Sequence, residues 1–390
     1  MEVIVHRGQN QIGGNIVEIA SASARILLDV GLELDTEEIV LPAIDGLFGE
    51  AVFDAVFISH YHGDHLGLAY YIDKSIPLYI GESSYKIVAT ADAYKGCPTI
   101  SPSGFLKHGQ PITIKDITVT PFLCDHSAFD SYMLLCECGG ETALYTGDFR
   151  SNGRKSFDKL LQVLPNKVDK LICEGTTLSR SEAVPQTEKD LEAKAVEMFQ
   201  ATAGPVFVLQ SSTNIDRIVT MYRAAKRSGK AFLEELYMAE ITAAIGGSIP
   251  NPAFSDVFAF ITNPNRYELL SKYKNRIGKD RIAKTSFVMC VRSSMLRYLK
   301  SLSGLMNFEG GMLIYSMWEG YKKQPQMQAF LDACSEMGLS IISLHTTGHA
   351  DPQTIRTLID HTHPNEIIPI HTEAPEWFVD FQKIEQEEPS

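Results

Sequence analysis

The sequence predicts a protein of the α/β class, with short strands in its first part and alternating strands and helices further on. Two observations support this prediction. Up to about residue 175, short apolar runs end at glycine or polar turns, a pattern typical of strands. After Glu188, brief apolar runs alternate with longer segments of helical period, which indicates βαβ units and a parallel sheet.

The strands of the first part are marked by alternating or continuous apolar residues. They are predicted at residues 15–20, 25–30, 52–58, 112–123, 131–138 and 141–146. The last two meet at Gly139-Gly140, which indicates a hairpin.

In the second part, each predicted strand is followed by a predicted helix. The strand and helix pairs are 206–210 with 214–227, 286–290 with 293–302, 312–316 with 324–337, and 339–344 with 352–361, and a final strand covers 366–370. Ile215, Ile218, Val219 and Tyr222 share one face of the first of these helices. The second part is therefore predicted to build a parallel sheet covered by helices.

Charge is distributed unevenly along the chain. The formal net charge is −13, which taken alone argues against a nucleic-acid partner. Residues 181–340, however, hold 19 Lys+Arg and 16 Asp+Glu, a balance of 19 − 16 = +3, so the remainder carries −13 − 3 = −16. Basic residues concentrate at 217–230 and 272–300. Such stretches either attract a polyanion or form only a solvated helix face, and the sequence leaves both readings open.

The chain ends and the cysteines bear on cellular location. The N-terminus has no apolar signal region, and no apolar run approaches the ~18 residues of a membrane span, so we expect neither a signal peptide nor a membrane partner. The seven cysteines are scattered, and Cys136-Glu137-Cys138 alternates within a predicted strand without a second such pair. We therefore expect a reduced, cytoplasmic protein.

The most informative segment is His60-Tyr61-His62-Gly63-Asp64-His65, which closely follows the apolar strand at 52–58. Because side chains two residues apart share one face of an extended chain, His60 and His62 can point the same way. Gly63 then allows a turn, and Asp64 and His65 begin the helix predicted at 66–72. Two imidazoles on one side and a carboxylate with an imidazole on the other suit two adjacent metal ions.

Two further residues follow strands downstream of this motif. His126 lies in Cys124-Asp125-His126-Ser127, and Asp148 lies in Thr146-Gly147-Asp148. With the His-x-His-x-Asp-His motif they resemble the signature of the metallo-β-lactamase superfamily of metallohydrolases. The resemblance implies that His60, His62 and His126 bind one metal and that Asp148 bridges it to a second. Asp29 resembles the superfamily aspartate that supports the metal loop without binding metal.

Three later residues resemble the remaining motifs of the β-CASP family, whose members process nucleic acids and include the ribonuclease J enzymes. They are Glu174 in Cys173-Glu174-Gly175, His349 in Gly348-His349-Ala350, and His371 in Ile370-His371-Thr372. The resemblance implies an α/β fold in which a metallo-β-lactamase αβ/βα sandwich holds an inserted β-CASP-like α/β domain with a parallel sheet. We expect the sandwich at residues 1–180 and 341–390 and the insert at 181–340.

The same resemblance assigns roles to these residues. His371 is expected to bind the second metal with Asp64 and His65, and Asp64 is also expected to take part in catalysis. His349 is expected to contact the scissile phosphate and protonate the leaving oxygen, with Glu174 as its hydrogen-bond partner. The expected cofactors are two Zn²⁺, and Mn²⁺ suits the same ligands. Water activated by the two metals would attack phosphorus, with RNA as the expected substrate and partner.

The sequence also departs from the ribonuclease J pattern. The departures are Thr347, Thr372 and the turn at 317–321, where Glu319 is expected to repel phosphate. Because the chain ends soon after His371, we expect it to lack the C-terminal domain of ribonuclease J. These differences affect RNA specificity and leave the predicted metal ligands unchanged.

The predicted function is a ribonuclease J-like phosphodiester hydrolase that depends on two metals. Hydrolysis of a small ester, lactone or nucleotide by the same metals is the alternative, which Trp318, Glu319 and the acidic net charge favour. A non-catalytic RNA-binding protein is a third reading, against which the complete ligand set argues. The sequence leaves open whether RNA is cut from an end or internally, and whether the protein is a homodimer.

Overall fold

The computed structural model describes residues 1–34, 38–180 and 185–382. It divides the chain into two units: unit 1 comprises Met1–Pro185 and Gly348–Ser390, and unit 2 comprises Gln186–Thr347. The sequence prediction put these boundaries at 180/181 and 340/341, and residues 181–184 lie outside the described part of the chain. Among the described residues, unit 1 has two sheets and unit 2 has one, and each unit has its own hydrophobic core.

Strands and helices are numbered here in chain order. The strands are β1 (Glu2–Arg7), β2 (Ile16–Ala20), β3 (Arg25–Leu28), β4 (Ala55–Phe57), β5 (Leu78–Gly81), β6 (Gly104–Leu106), β7 (Ile112–Ile114), β8 (Ile117–Cys124), β9 (Ser131–Cys138), β10 (Glu141–Tyr145), β11 (Lys170–Glu174), β12 (Val206–Leu209), β13 (Ala231–Glu235), β14 (Val257–Phe260), β15 (Phe287–Val291), β16 (Gly311–Tyr315), β17 (Leu339–Ser343) and β18 (Glu366–Ile370). The helices are α1 (Gly63–Leu66), α2 (Glu82–Lys95), α3 (Phe157–Leu161), α4 (Glu188–Ala201), α5 (Ile215–Arg227), α6 (Leu236–Ile245), α7 (Tyr267–Ser271), α8 (Lys279–Ile282), α9 (Leu296–Ser303), α10 (Pro325–Glu336), α11 (Pro352–Thr362) and α12 (Val379–Gln382).

Unit 1 is a sandwich of two six-stranded sheets. The strand orders are β1-β2-β3-β4-β5-β6 and β18-β11-β10-β9-β8-β7. Val17 and Phe57 of the first sheet and Leu134 and Ile370 of the second share one buried cluster, so the sheets pack face to face. Helix α2 packs on β5, and α3 and α11 pack on the outer side of the second sheet. The layers are therefore helix, sheet, sheet and helix.

In the second sheet of unit 1, four strands have their C-terminal ends at the same edge. β10 pairs parallel with β11 and β11 pairs parallel with β18, whereas β9 runs antiparallel to both β8 and β10. Strands β8, β10, β11 and β18 therefore point the same way. Residues just after these four strands, or at the end of β11, are brought together at this edge.

Unit 2 contains a parallel six-stranded sheet of order β14-β13-β15-β12-β16-β17. From β12 to β14 the chain crosses the sheet toward the β14 edge, and the connections contain α5 and α6. From β15 to β17 it crosses toward the β17 edge, and the connections contain α9 and α10. Because such crossovers are right-handed, α5 and α6 cover one face and α8, α9 and α10 the other. A cavity of about 250 Å³ lined by Gln210, Tyr237 and Arg292 opens at the carboxyl strand ends.

The mixed α/β class is confirmed, and local differences have local causes. The helix predicted at 66–72 is instead α1 followed by a 3-10 turn at Gly67–Tyr70. It begins early because the carbonyl of His62 accepts the backbone N–H of Leu66 at 2.9 Å. The strand predicted at 112–123 is a hairpin, since the chain reverses at Lys115, whose φ is 54°. In the described ranges, none of the helices combines the length and apolar character needed to cross a membrane.

Candidate metal centre

The predicted site residues of unit 1 gather at the strand edge described above. His60 and His62 follow β4, whereas Asp64 and His65 lie in α1. The others are His126 after β8, Asp148 after β10, Glu174 at the end of β11, His349 before α11 and His371 after β18. Four groups of these side chains have candidate ligand atoms within 4.8 Å of one another.

His60, His62 and His126 form the first of these groups. Nδ1 of His62 lies 3.1 Å from Nε2 of His126, whose Nδ1 lies 2.5 Å from the carbonyl oxygen of Gly348. Burial and the neighbouring imidazoles lower the pKa of His60 and His126 well below the ordinary value, and burial lowers that of His62 to about 4. The three rings are therefore neutral at pH 7, the form in which histidine binds metal.

Asp64, His65 and His371 form a second group. Oδ2 of Asp64 lies 3.1 Å from Nε2 of His371 and 3.9 Å from Nε2 of His65. Burial opposes the ionisation of Asp64, but His65 and His371 lower the pKa of its carboxyl. His371 has a φ of 49°, and its Nδ1 lies 2.6 Å from the hydroxyl of Thr176.

Asp148 lies between the two groups and is 2% exposed. Its Oδ2 lies 3.2 Å from Nε2 of His65, 3.7 Å from Nε2 of His60 and 3.9 Å from Nε2 of His126. Its Oδ1 lies 3.8 Å from Nδ1 of His371. Burial would raise the pKa of this carboxyl, but the surrounding imidazoles hold it well below the ordinary value. Asp148 thus presents an anionic carboxylate to both groups.

The polar atoms of this cluster fit bound cations. Nε2 of His60, Nε2 of His65 and Oδ1 of Asp148 are buried and make no hydrogen bond within the described residues. Buried polar atoms without partners are rare and costly in folded proteins. Divalent cations would satisfy them, because imidazole nitrogen and carboxylate oxygen are common ligands of Zn²⁺ and Mn²⁺.

The local charge balance also favours added positive charge. Burial would lower the pKa of His65, but Asp148, Asp29 and Asp64 raise it well above the ordinary value. These carboxylates therefore stabilise a cation at the position of the His65 proton. A metal ion bound there would take over that role and displace the proton.

Asp29 lies beneath this cluster and is fully buried. Its Oδ2 lies 2.7 Å from Nδ1 of His65, so the ring presents Nε2 to the cluster. Asp29 also accepts hydrogen bonds from the backbone N–H and hydroxyl of Ser59 and from the hydroxyl of Tyr145. A carboxylate behind a histidine fixes its tautomer and orientation, which is a common support for metal ligands.

Glu174 and His349 lie beside Asp148. Oε2 of Glu174 is 3.2 Å from Nδ1 of His349, and Oδ2 of Asp148 is 3.5 Å from the same nitrogen. Burial would lower the pKa of His349, but Glu174 and Asp148 raise it to about 9. His349, Glu174, Asp148 and His371 also form one of the four candidate groups, so proximity alone does not separate a metal ligand from a proton donor.

Several supporting residues were missed from the sequence. Ser59, Tyr145 and Thr176 contact Asp29 or His371. Each lies within three residues of a predicted site residue (His60, Asp148 and Glu174, respectively), but a serine, a tyrosine or a threonine near a strand end carries no signal of its own. The histidines outside the predicted site have other contacts, such as His6 with Glu18 and His108 with the backbone of Leu123.

Comparison with known proteins supports the predicted resemblance. Residues 10–172 match the family model of the metallo-beta-lactamase superfamily. A crystal structure of a protein of unknown function from Enterococcus faecalis V583 aligns with a TM-score of 0.78 and 23% identity, over 96% of this chain and 94% of that one. At this identity the alignment shows the fold alone. The predicted fold class is confirmed by both comparisons.

Curated relatives named ribonuclease J also align with the chain. Ribonuclease J of Sinorhizobium meliloti is 20% identical over 377 residues, which cover 90% of this chain and 64% of that protein. The RNase J-like protein of Methanocaldococcus jannaschii is 29% identical over 257 residues, 58% of this chain and 55% of that protein. Ribonuclease J 1 of Streptococcus pyogenes is 19% identical over 394 residues, 94% of this chain and 67% of that protein. The chain thus spans about two thirds of these relatives or less.

Proposed function

We propose that this chain is a metal-dependent phosphodiester hydrolase that processes RNA, because residues 10–172 match the family model of the metallo-beta-lactamase superfamily. The observation that carries the proposal is the pair of ligand groups, His60, His62 and His126 against Asp64, His65 and His371, with Asp148 between them. We further propose that unit 2, Gln186–Thr347, which the sequence placed at residues 181–340, is a β-CASP-like insert. The parallel sheet of unit 2 and the ribonuclease J relatives support this assignment.

We propose seven metal ligands: the three residues of the first group, the three residues of the second group, and Asp148. We propose two Zn²⁺, and Mn²⁺ suits the same nitrogen and oxygen donors. When bound, two divalent cations activate the attacking water and stabilise negative charge on the phosphoryl oxygens. Asp148 and Asp64 contribute carboxylates that offset the repulsion between two such cations. The buried setting of Asp148 strengthens this electrostatic effect.

His349 is proposed to protonate the leaving oxygen. Its Nδ1 faces the carboxylate of Glu174 at 3.2 Å, so the transferable proton is the one on Nε2. Since the pKa of His349 is raised to about 9, the ring carries both protons at neutral pH and can act as a general acid. Glu174 acts through His349, because it orients the ring and favours its charged form.

RNA is the preferred substrate over a small ester, lactone or nucleotide. The aligned curated relatives are named as ribonucleases. The carboxylate of Glu319, which the sequence suggested would repel phosphate, forms an ion pair with Lys322 at 2.7 Å. Its charge is therefore offset locally, so Glu319 does not favour a small ester, lactone or nucleotide over RNA. The cytoplasmic location and a homodimer stay predictions.

Parallel turnover assays test this function. Purified protein is offered 5′-monophosphorylated RNA, bis(nitrophenyl) phosphate and a lactone, each with and without a chelator. We expect hydrolysis of RNA and of the phosphodiester, loss of both activities with chelator, and recovery on adding Zn²⁺ or Mn²⁺. The pattern of RNA products then distinguishes cutting from the 5′ end from internal cutting. Lactone hydrolysis without phosphodiester hydrolysis would contradict the proposal.

A further inference from the structure

The two basic stretches of unit 2 lie on opposite faces of its sheet. The first stretch belongs to α5, whereas the second runs from the segment beside β14 through α8 to α9. Right-handed crossovers put α5 on one face and α8 and α9 on the other. Accordingly, Tyr298, Leu299 and Leu302 of α9 and Ile282 of α8 share a buried cluster that includes no residue of α5.

The cations of α5 are matched by acidic neighbours. Arg223 and Arg227 lie 3.9 and 3.4 Å from the carboxylate of Glu192, and Lys226 lies 3.7 Å from that of Asp256. Arg217 is buried in an ion pair with Glu188 at 3.0 Å. Because Arg223 and Arg227 share Glu192, these four cations face three carboxylates, and the balance is only 4 − 3 = +1.

The second stretch, 272–300, holds nine cations, of which Lys272 and Arg292 form ion pairs with Glu240 and Glu235. Six of the others lie between the end of the β14 segment and α9, and we call them the α8–α9 basic face: Arg276, Lys279, Arg281, Lys284, Arg297 and Lys300. No carboxylate of the described residues forms an ion pair with any of the six. Asp280 is the one acid within the stretch, so the face carries 6 − 1 = +5.

Three of these cations, Lys279, Arg297 and Lys300, lie on one surface formed by α8 and α9. The ammonium of Lys279 lies 2.7 Å from the hydroxyl of Ser301 and 4.9 Å from the ring centre of Tyr298, so α8 adjoins α9. Arg297 and Lys300 are exposed one turn apart on the side of α9 that carries Ser301. Lys284 is exposed directly after α8, where its N–H bonds the carbonyl of Arg281.

We propose that the α8–α9 basic face of unit 2 binds the phosphate backbone of single-stranded RNA. The inference rests on the proposed function, which supplies RNA as the substrate. Five net positive charges without acidic partners attract a polyanion even though the whole chain carries −13. Binding releases counterions from the RNA, so the contribution of this face depends on salt. The face contributes affinity and leaves the chemistry at the metal centre unchanged.

Two triple variants of equal charge change test the proposal. Lys284→Gln, Arg297→Gln and Lys300→Gln together neutralise the α8–α9 basic face. Arg223→Gln, Lys226→Gln and Arg227→Gln together form the matched control on α5. All six side chains are exposed, so both variants should fold, which their thermal unfolding midpoints verify. Affinity for a phosphorothioate RNA of about 20 nucleotides, which resists hydrolysis, is measured by fluorescence anisotropy between ~50 and ~200 mM salt.

We expect the basic-face variant to bind RNA about tenfold to a hundredfold more weakly than the wild type. Its slope of log affinity against log salt should fall by about 2, since each of three lost phosphate contacts contributes ~0.7. The α5 variant should bind within about twofold of the wild type. Equal losses in both variants would show a net-charge effect and overturn the proposal, as would wild-type affinity in the basic-face variant. Loss of binding to phosphatidylserine vesicles with unchanged RNA affinity would also overturn it.

Hydrolysis of bis(nitrophenyl) phosphate separates this proposal from the proposed function. The small diester is too short to engage a backbone-binding surface, so both variants should hydrolyse it at the wild-type rate. If the basic-face variant binds RNA as tightly as the wild type and both hydrolyse the diester, RNA binding by the basic face is refuted. The proposed metallohydrolase function is then retained. If the wild type hydrolyses neither RNA nor diester, the proposed function fails, and the binding comparison still decides whether this face holds RNA.

Discussion

Oε2 of Glu174 lies 3.2 Å from Nδ1 of His349, at the point where β11 ends beside the loop that leads into α11. The same carboxylate accepts the backbone N–H groups of Phe149 and Ala350 through Oε1. Glu174 is fully buried, whereas the side chain of His349 is 21% exposed. A buried, backbone-anchored carboxylate thus holds an imidazole that can reach solvent, which suits a proton donor better than a metal ligand.

His349→Ala should retain both metals and lose most turnover. General acids typically contribute on the order of 10²- to 10⁴-fold in rate, so we expect a loss of that size on RNA. The loss should shrink on bis(nitrophenyl) phosphate, because nitrophenolate leaves without a proton. Rates on the two substrates and metal content are measured on the same sample. Loss of metal, or equal rate losses on both substrates, would show that His349 is not the acid.

Glu174→Gln should move the pH profile of the enzyme. The carboxylate raises the pKa of His349, so its neutral replacement lowers that pKa from about 9 and makes the acid lose its proton at lower pH. The basic limb of the kcat profile should therefore shift to lower pH, with a smaller rate loss than in His349→Ala. A reduced rate with an unmoved limb would indicate that Glu174 serves only to anchor the backbone.

Asp29→Asn should weaken metal binding without removing a proposed ligand. An amide cannot accept all the hydrogen bonds that Ser59, Tyr145 and His65 make to Asp29. Loss of such support typically costs about 10- to 100-fold in metal affinity. Tyr145→Phe removes one of these bonds and should have a smaller effect in the same direction. Competition with a chromogenic chelator measures both, and an unchanged affinity in Asp29→Asn would refute the supporting role.

The sequence predicts the grouping of the site well, because much of it is local. His60, His62, Asp64 and His65 lie within six residues, so their proximity follows from one turn after a strand. His126, Asp148 and His371 each follow a strand, and parallel neighbouring strands bring such positions to one edge. In the structure these residues fall into overlapping groups, and the candidate ligand atoms of each group lie within 4.8 Å of one another. The ligand role itself stays a prediction that metal analysis must test.

Contacts across long sequence distances could not be predicted in this way. The hydroxyl of Tyr145 reaches Asp29 from 116 residues away, and Thr176 reaches His371 from 195. The same applies to charge: nothing in the sequence around Arg223 and Lys226 indicates that Glu192 and Asp256 lie beside them. The sequence locates the basic stretches, but tertiary packing determines which stretch has acidic side chains beside its cations.

Glu234→Gln should stabilise the protein increasingly as pH rises. Burial raises the pKa of Glu234 to about 8, against an ordinary value of 4.5, although a hydrogen bond from Thr242 acts in the opposite direction. The folded protein therefore binds a proton that the unfolded chain releases between these values, so the wild type loses stability as pH increases from about 4.5 to about 8. The neutral amide removes this loss, which amounts to roughly 5 kcal/mol at most.

Urea unfolding of both proteins at pH 5 and pH 8 measures this effect. The gain in free energy of unfolding for Glu234→Gln should be larger at pH 8 than at pH 5. Glu235→Gln is the neighbouring control, because it removes an ion pair with Arg292 at 2.6 Å and should therefore destabilise the protein. An equal gain at both pH values would show that Glu234 is already ionised in the folded protein.

The most direct test of the central claim is the metal content of purified protein, measured by elemental analysis together with turnover of bis(nitrophenyl) phosphate. If Asp148 lies between two cation sites, the wild type should hold close to two transition-metal ions per chain. Asp148→Asn should lose metal from both sites and lose turnover, because a neutral amide cannot offset two adjacent cations. Wild-type protein stripped of metal that still hydrolyses the diester at an undiminished rate would contradict the two-metal account.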